Sequence, residues 1–259
     1  MASGRVFLGV SALLFAASTA LTILWCVSMS TKSEMAMPGG WTMSMVWMRM
    51  PGQTWPGAAA SFLDMWVVMT AAMMLPVLLT SLWRYRQAVA GTGRTRLGGL
   101  TALMGAGYFF VWFTVGMAVF PLSVTLVAIE MEQPAVARAV PIAVGVIVLI
   151  AGVLQFTPWK AHHLACCREI PGRGRTLPAD ASTAWQHGLR LGLHCIHCSA
   201  GLTATLLVVG IMDLRAMVIV TAAITAERLA PSGERVARVI GAVVNGAGVF
   251  LIARAVGLG

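Results

Sequence analysis

Seven apolar runs leave this chain little choice of fold. They lie at about 6–28, 61–83, 98–127, 138–157, 190–211, 214–230 and 236–256. A helix of roughly 20 apolar residues crosses a hydrocarbon core about 30 Å thick, and these runs are of that order. Inside lipid the backbone must satisfy its own hydrogen bonds, so each run is expected as a helix. The sixth run is the shortest. The expectation is therefore about 6–7 spans: seven crossings, or six plus a re-entrant or interfacial piece. Only 10% of the residues are charged, against about 25% in a soluble domain, too few to cover a water-facing surface. The predicted fold class is all-α, a polytopic transmembrane helix bundle forming one integral membrane domain over residues 1–259. The first run follows a single Arg5 and is longer than the roughly 7–15-residue apolar core of a signal peptide. No A-x-A-like site follows it closely, so it is expected to be retained as a helix.

A net charge of +9 would suggest nucleic acid on a soluble protein. On a membrane protein the positive-inside rule explains it better. With a cytoplasmic N-terminus and seven crossings, the inner side holds Arg5, Arg84, Arg86, Arg94, Arg96, Lys160, Arg168, Arg173, Arg175, Arg190, Arg228, Arg235 and Arg238. The outer side holds Lys32, Arg49, Arg138, Arg215 and Arg254. That asymmetry sets the expected orientation. No basic run is interleaved with aromatics, so no nucleic-acid partner is expected.

Two connections stand out. The outer one, 29–60, carries seven of the seventeen methionines: Met29, Met35, Met37, Met43, Met45, Met48 and Met50. An amphipathic segment lying on the membrane with Met as a flexible filler accounts for them. A collector of soft metal accounts for them equally. Thioether sulfur prefers Cu(I) to hard cations, and it forms no disulfide on an oxidising face. The next run, "DMWVVMTAAMMLP", places Met65, Met69 and Met73 at i, i+4 and i+8, hence on one helix face. Packing explains such a stripe, and so does a metal path. Asp64 suits an N-cap at the outer mouth of this helix. Trp41, Trp47, Trp55 and Trp66 suit an interfacial belt.

The inner connection, 158–189, contains His162, His163, Cys166 and Cys167. The run after it opens "LHCIHCSAG", with His194, Cys195, His197 and Cys198. Spacings of three and four share a helix face, so Cys195 with Cys198, or His194 with Cys198, can act together. Two ligands do not close a metal site, and the inner connection offers the rest. Four of five cysteines and four of five histidines thus gather in two patches on one side of the membrane. A metal site is one reading. The other is redox: Cys195-Ile196-His197-Cys198 is a C-x-x-C at the start of a helix, and Cys166/Cys167 supply a second dithiol. Both pairs face the reducing side, and vicinal cysteines make strained disulfides, which weighs against redox. Cys26 reads as packing. Glu227 with Arg228 reads as an internal ion pair, and Gln155 and Asn245 as helix–helix hydrogen-bond partners.

From about residue 60 to 245 the chain resembles a family of bacterial integral membrane proteins described as predicted metal-binding. "DMWVVMTAAMMLP" is similar to that family's Met-Trp-x-x-Met-x-x-Ala-Met-Met-x-Pro signature, through Met65, Trp66, Met69, Met73, Met74 and Pro76. "TPWKAHHLACCR" is similar to its Pro-Leu-Lys segment with a following pair of cysteines. "GLRLGLHCIHCSAGL", with Glu227 downstream, is similar to its cysteine-rich helix. His163 stands where the family pattern has Cys, and Cys167 is kept. Cys195 and Cys198 are kept, Ser199 replaces the second Cys of a doublet, Ala200 replaces a Trp, and His197 replaces a Gly. These exchanges keep soft or borderline ligands and lose disulfide chemistry. The resemblance implies a metal-handling protein of the bacterial cytoplasmic (inner) membrane.

The expected function is therefore to bind, and to transport or deliver, a soft metal ion: Cu(I) first, Zn second. The expected ligands are Cys195, Cys198, Cys167 and His163, with His194, His197, Cys166 and His162 near them and Met65, Met69 and Met73 on the way in. No G-x-x-x-x-G-K-[ST] loop is present to power movement with ATP. The expected partners are lipid, the metal and a metallochaperone or membrane complex. A thiol–disulfide protein and a non-catalytic accessory subunit are the alternatives.

Overall fold

The computed structural model describes residues 2–30, 34–37, 41–44, 47, 49, 52–89, 93–169 and 177–257. In order they form α1 (Ala2–Ser30), a hairpin of β1 (Glu34–Met37) and β2 (Trp41–Ser44), α2 (Trp55–Ala88), α3 (Arg94–Glu132), α4 (Pro134–Leu154), α5 (Pro158–Glu169), α6 (Ala181–Gly210), α7 (Leu214–Leu229) and α8 (Gly233–Ala255). The all-α expectation holds, with one antiparallel hairpin added, in which Met35 faces Met43 in register.

Six helices, α1, α2, α3, α4, α6 and α8, are long and apolar enough to cross a membrane. The short sixth run is α7, whose 16 residues rise about 24 Å at 1.5 Å each. It still runs the length of the pairing between the two ends of the bundle. Near its start, Met217 meets Cys26 at the end of α1. At its finish, Arg228 meets Cys198, a dozen residues before the end of α6. The thread is thus alternating. One end gathers the starts of α1, α3, α6 and α8 with the finishes of α2, α4 and α7, and carries α5; we call it the thiol end. The opposite end, where the Trp41 indole donates to the Ala137 carbonyl at 2.9 Å, is the hairpin end.

The helix ends follow local chemistry. Thr54 caps α2, its hydroxyl accepting from Gly57 N–H, with a proline in the first turn. Pro has no N–H to lose there. Asp64 lies ten residues into the helix and is exposed, so it is not the N-cap expected of it. Asp180 caps α6 by accepting from Thr183 N–H at 2.8 Å, and Asp213 caps α7 through Arg215 and Ala216 N–H. The connection 158–189 is accordingly shorter than its Pro and Gly content suggested. Its first twelve residues form α5, and α6 begins at Ala181.

α2 is the hub. Its apolar window is 61% buried, against 17% in α1 and α8, so its methionine stripe faces protein rather than lipid. Trp66 is 1% exposed and donates to the Trp112 carbonyl at 2.9 Å. It belongs to the α2–α3 interior and not to an aromatic belt. α3 packs along α6, and α4 along α8. Both contacts rest on glycine, because small residues let helix backbones approach closely in lipid. A Cβ on Gly107 would sit 2.8 Å from the Trp185 carbonyl, and one on Gly188 would strike the Met104 carbonyl.

Candidate metal centre

α6 presents its four ligand-type residues on two faces. Cys195 and Cys198 turn inward and are 0% and 3% exposed. His194 is half-buried and His197 exposed, both against α5. α5 answers in the same register. Its Cys167 is buried, and His163, one turn earlier, faces the α6 histidines. The separated segments that the sequence placed on one side therefore meet along a single α5–α6 contact.

At the buried level the Cys167 and Cys198 sulfurs are 3.5 Å apart. The Arg228 guanidinium reaches both, with Nη2 donating to each sulfur at 3.2 Å. Its Nε has no partner. Burial, and then the hydrogen bond with Cys198, push the Cys167 thiol well above its ordinary value, Arg228 pulling the other way. The dithiol in contact is Cys167–Cys198, across two elements. The adjacent Cys166 is not part of that contact. Cys195 interacts with Cys198 from the other side, and it also meets the Tyr108 hydroxyl at 3.0 Å and the Met74 sulfur at 4.0 Å. All five cysteines are free.

Beside the thiols lies a buried charge cluster. Lys160 Nζ pairs with Glu227 Oε2 at 2.6 Å and also donates to the Cys198 carbonyl. Gln155 Nε2 donates to Glu227 Oε1 at 2.9 Å, the helix–helix bond expected of it. Asn245 does not match its expectation, since its Oδ1 is buried without a partner. The expected Glu227–Arg228 ion pair is replaced. Neighbours in sequence on a helix point about 100° apart, so Glu227 serves Lys160 while Arg228 serves the sulfurs. Desolvated charges persist only when paired, and after Lys160 and Glu227 cancel, Arg228 has no carboxylate.

One level out, His163 Nδ1 and His194 Nδ1 are 3.1 Å apart. The His163 ring stacks on His197 with centroids 4.7 Å apart and 17° between planes. Trp159 stands edge-on to both. Burial and the neighbouring His197 and His194 rings hold His163 below its usual value, leaving the neutral imidazole a metal needs. His162 is exposed and borders this group, its ring centroid 5.3 Å from that of His163, while Cys166 is half-buried and 3.7 Å from His162. Among the described residues, no three Cys, His, Asp or Glu side chains converge as a closed metal site.

The methionine stripe leads away from the thiols toward the hairpin end. Met69 and Met73, with Met74, line one interior cavity of about 10 Å³ between Trp66 and Trp112. Met65 and Met69 line a second of about 10 Å³. Each is room for about one water-sized sphere. Of the outer methionines, Met45, Met48 and Met50 lie outside the described residues.

The sequence reading missed Arg228 as a thiol partner, and it missed Lys160 and Tyr108. The signal for Arg228 was present. Lys160, Glu227 and Arg228 are two cations and one acid beside apolar runs, so one cation needs a different anion. Tyr108 is one of two tyrosines and lies deep in an apolar run, where a hydroxyl needs a partner.

A search of curated proteins and a search of solved structures each found no match to this chain. A family model described as "Copper chaperone" matches residues 63–251, well over half of the chain and including every thiol except Cys26. The resemblance to predicted metal-binding membrane proteins is therefore corrected in its name and kept at the level of a metal-related family. The chain belongs to the copper chaperone family.

Proposed function

We propose that the protein is a multi-pass membrane copper chaperone that holds Cu(I) between Cys167 and Cys198. The observation that carries this reading is the Arg228 guanidinium lodged against both sulfurs. The charges favour a monovalent ion. Lys160 and Glu227 cancel, leaving Arg228 at +1. Two thiolates and one Cu(I) bring −1, so the loaded centre is neutral in its buried setting. Zn(II) at the same place would leave one positive charge, which is costly away from water. Thiolate ligands select Cu(I) on softness as well.

Cys195, held by Tyr108, links this pair to Met74 and so to the methionine-lined cavities. Thioethers bind Cu(I) without losing a proton, which suits groups that pass an ion rather than keep it. His163, His194 and His197 flank the thiols on the more exposed side and receive or release copper to a protein partner. The basic residues of the thiol end face the cytoplasm of a bacterial inner membrane under the positive-inside rule, and the Met-rich segment then collects on the outer side.

The test is metal content of the whole protein purified in detergent, with copper and zinc offered together. Wild type retains copper. Cys167→Ser with Cys198→Ser loses it, and Cys166→Ser does not. Arg228→Met removes the extra positive charge, so the neutral complex becomes the divalent one and the bound metal shifts from copper toward zinc. Copper retained unchanged by the double serine variant overturns the reading. Alkylation trapping that finds a Cys167–Cys198 pair cycling between dithiol and disulfide, without copper, returns it to the redox class.

A further inference from the structure

Cys26 joins the end of α1 to a second group of sulfurs, far from the thiol end. Its Sγ is 3.9 Å from the Met212 sulfur and 3.9 Å from the Met217 sulfur. Cys26 and Met217 are 3% and 5% exposed. Met65 and Met69 of α2 line the same small cavity, so five of its eight lining residues carry sulfur. The remaining oxygen is committed: the Thr22 hydroxyl donates to the Ser18 carbonyl at 2.8 Å. A hard cation finds one neutral hydroxyl among the lining side chains and no carboxylate. A soft one finds a thiol and up to four thioethers.

This cavity is not isolated. Met69 and Ile211 line both it and the next cavity, which Met73 and Met74 also line. The Met74 sulfur then lies 4.0 Å from Cys195. Sulfur lines the interior from the hairpin end to the thiol end. The matched family segment begins at residue 63, so Cys26 lies outside it and the copper chaperone assignment does not call for this group.

We infer that Cys26, Met212 and Met217 form a second binding site for a soft monovalent cation, Cu(I) or Ag(I), at the hairpin end. It rests on the proposed copper reading only for its role as the opposite station of one path, and the binding itself is independent of that reading. On binding, the Cys26 S–H bond breaks as the sulfur–metal bond forms. The proton leaves to water with the ion's own hydration shell. No electron is transferred.

Silver(I) is the probe, since it is soft and monovalent and does not cycle in air. The whole protein carrying Cys167→Ser, Cys195→Ser and Cys198→Ser is loaded in detergent and passed over a desalting column. One equivalent of Ag(I) is expected to remain, with a thiolate-to-metal ultraviolet band. Adding Cys26→Ala removes both. Adding Met212→Leu and Met217→Leu instead weakens binding by roughly 10- to 100-fold, the scale on which supporting groups act at metal sites. Should the triple serine protein fold poorly, Cys26→Ala in the otherwise wild-type chain is expected to lower the Ag(I) count by one and leave the rest. Binding that is indifferent to Cys26 and to both methionines in either background overturns the inference. A Cys26-dependent equivalent with no change on removing the three other thiols sustains this site and sinks the thiol-end reading instead.

Discussion

The two ends of this bundle are both rich in sulfur, and they differ in charge. At the thiol end Cys167 and Cys198 share the interior with Lys160, Glu227 and Arg228, which are the buried charged side chains of the described residues. At the hairpin end Cys26, Met212 and Met217 have sulfur, aliphatic and aromatic neighbours and the single Thr22 hydroxyl within the cavity, and the charged group that acts on Cys26 is Asp213. An ion bound among fixed charges is held by the whole cluster. An ion at the hairpin end is held by one thiolate and by weak, neutral thioethers. The difference assigns the strong hold to the end with Arg228 and the easy release to the end with Met212 and Met217.

That contrast breaks or sharpens under substitution. The largest effect on stability is expected from Glu227→Gln. It leaves Lys160 and Arg228 as two buried cations without an acid, and stripping one partner from a buried pair costs about 3–5 kcal/mol. Thermal unfolding in detergent reads it. A loss no greater than that of a surface substitution would mean that the charges are not held from water. Gly188→Ala comes next. Its Cβ strikes the Met104 carbonyl, and overpacking costs about 1–3 kcal/mol. The added readout is faster alkylation of Cys195 by a water-soluble maleimide. Met217→Leu, at the hairpin end, is close to volume-conserving and should cost less than about 1.5 kcal/mol. If it matched Glu227→Gln in unfolding, the contrast between the ends would fail.

The smallest effect concerns the start of α6. The Thr183 backbone N–H, then its hydroxyl, hold the Asp180 carboxyl below its ordinary value. A folded-state value below the unfolded one gives stability that is present above the unfolded value, about 3.9. That stability fades as pH falls through the folded value. Protection of the first-turn amides of α6, taken relative to their intrinsic exchange rates at each pH, should therefore fall on acidification and lose that pH dependence in Asp180→Ala, with protection at the centre of α6 unchanged.

The helices were legible because burial in lipid demands long apolar runs whatever the partner. Their ends were less so. α2 starts at Trp55 because Thr54 and a proline build a cap there, six residues ahead of the apolar run that marked it. The convergence of Cys167 with Cys198 was legible from two facts: α5 precedes α6 on the same side, and Cys195 and Cys198 share a face. The partners were not. Arg228 reaches those sulfurs only because α7 returns to the depth of α5. Cys26 reaches Met212 and Met217 across 186 and 191 residues of sequence. No local spacing encodes a meeting of that range. The copper chaperone family was legible only as a class of metal-handling membrane protein.

The glycine contact between α3 and α6 also acts as insulation. Because Gly107 and Gly188 let the two backbones touch, Tyr108 lies flush on Cys195 and both are 0% exposed. A polar oxidant therefore meets protein before it meets this sulfur, whose neighbours include the Tyr108 hydroxyl and the Met74 sulfur.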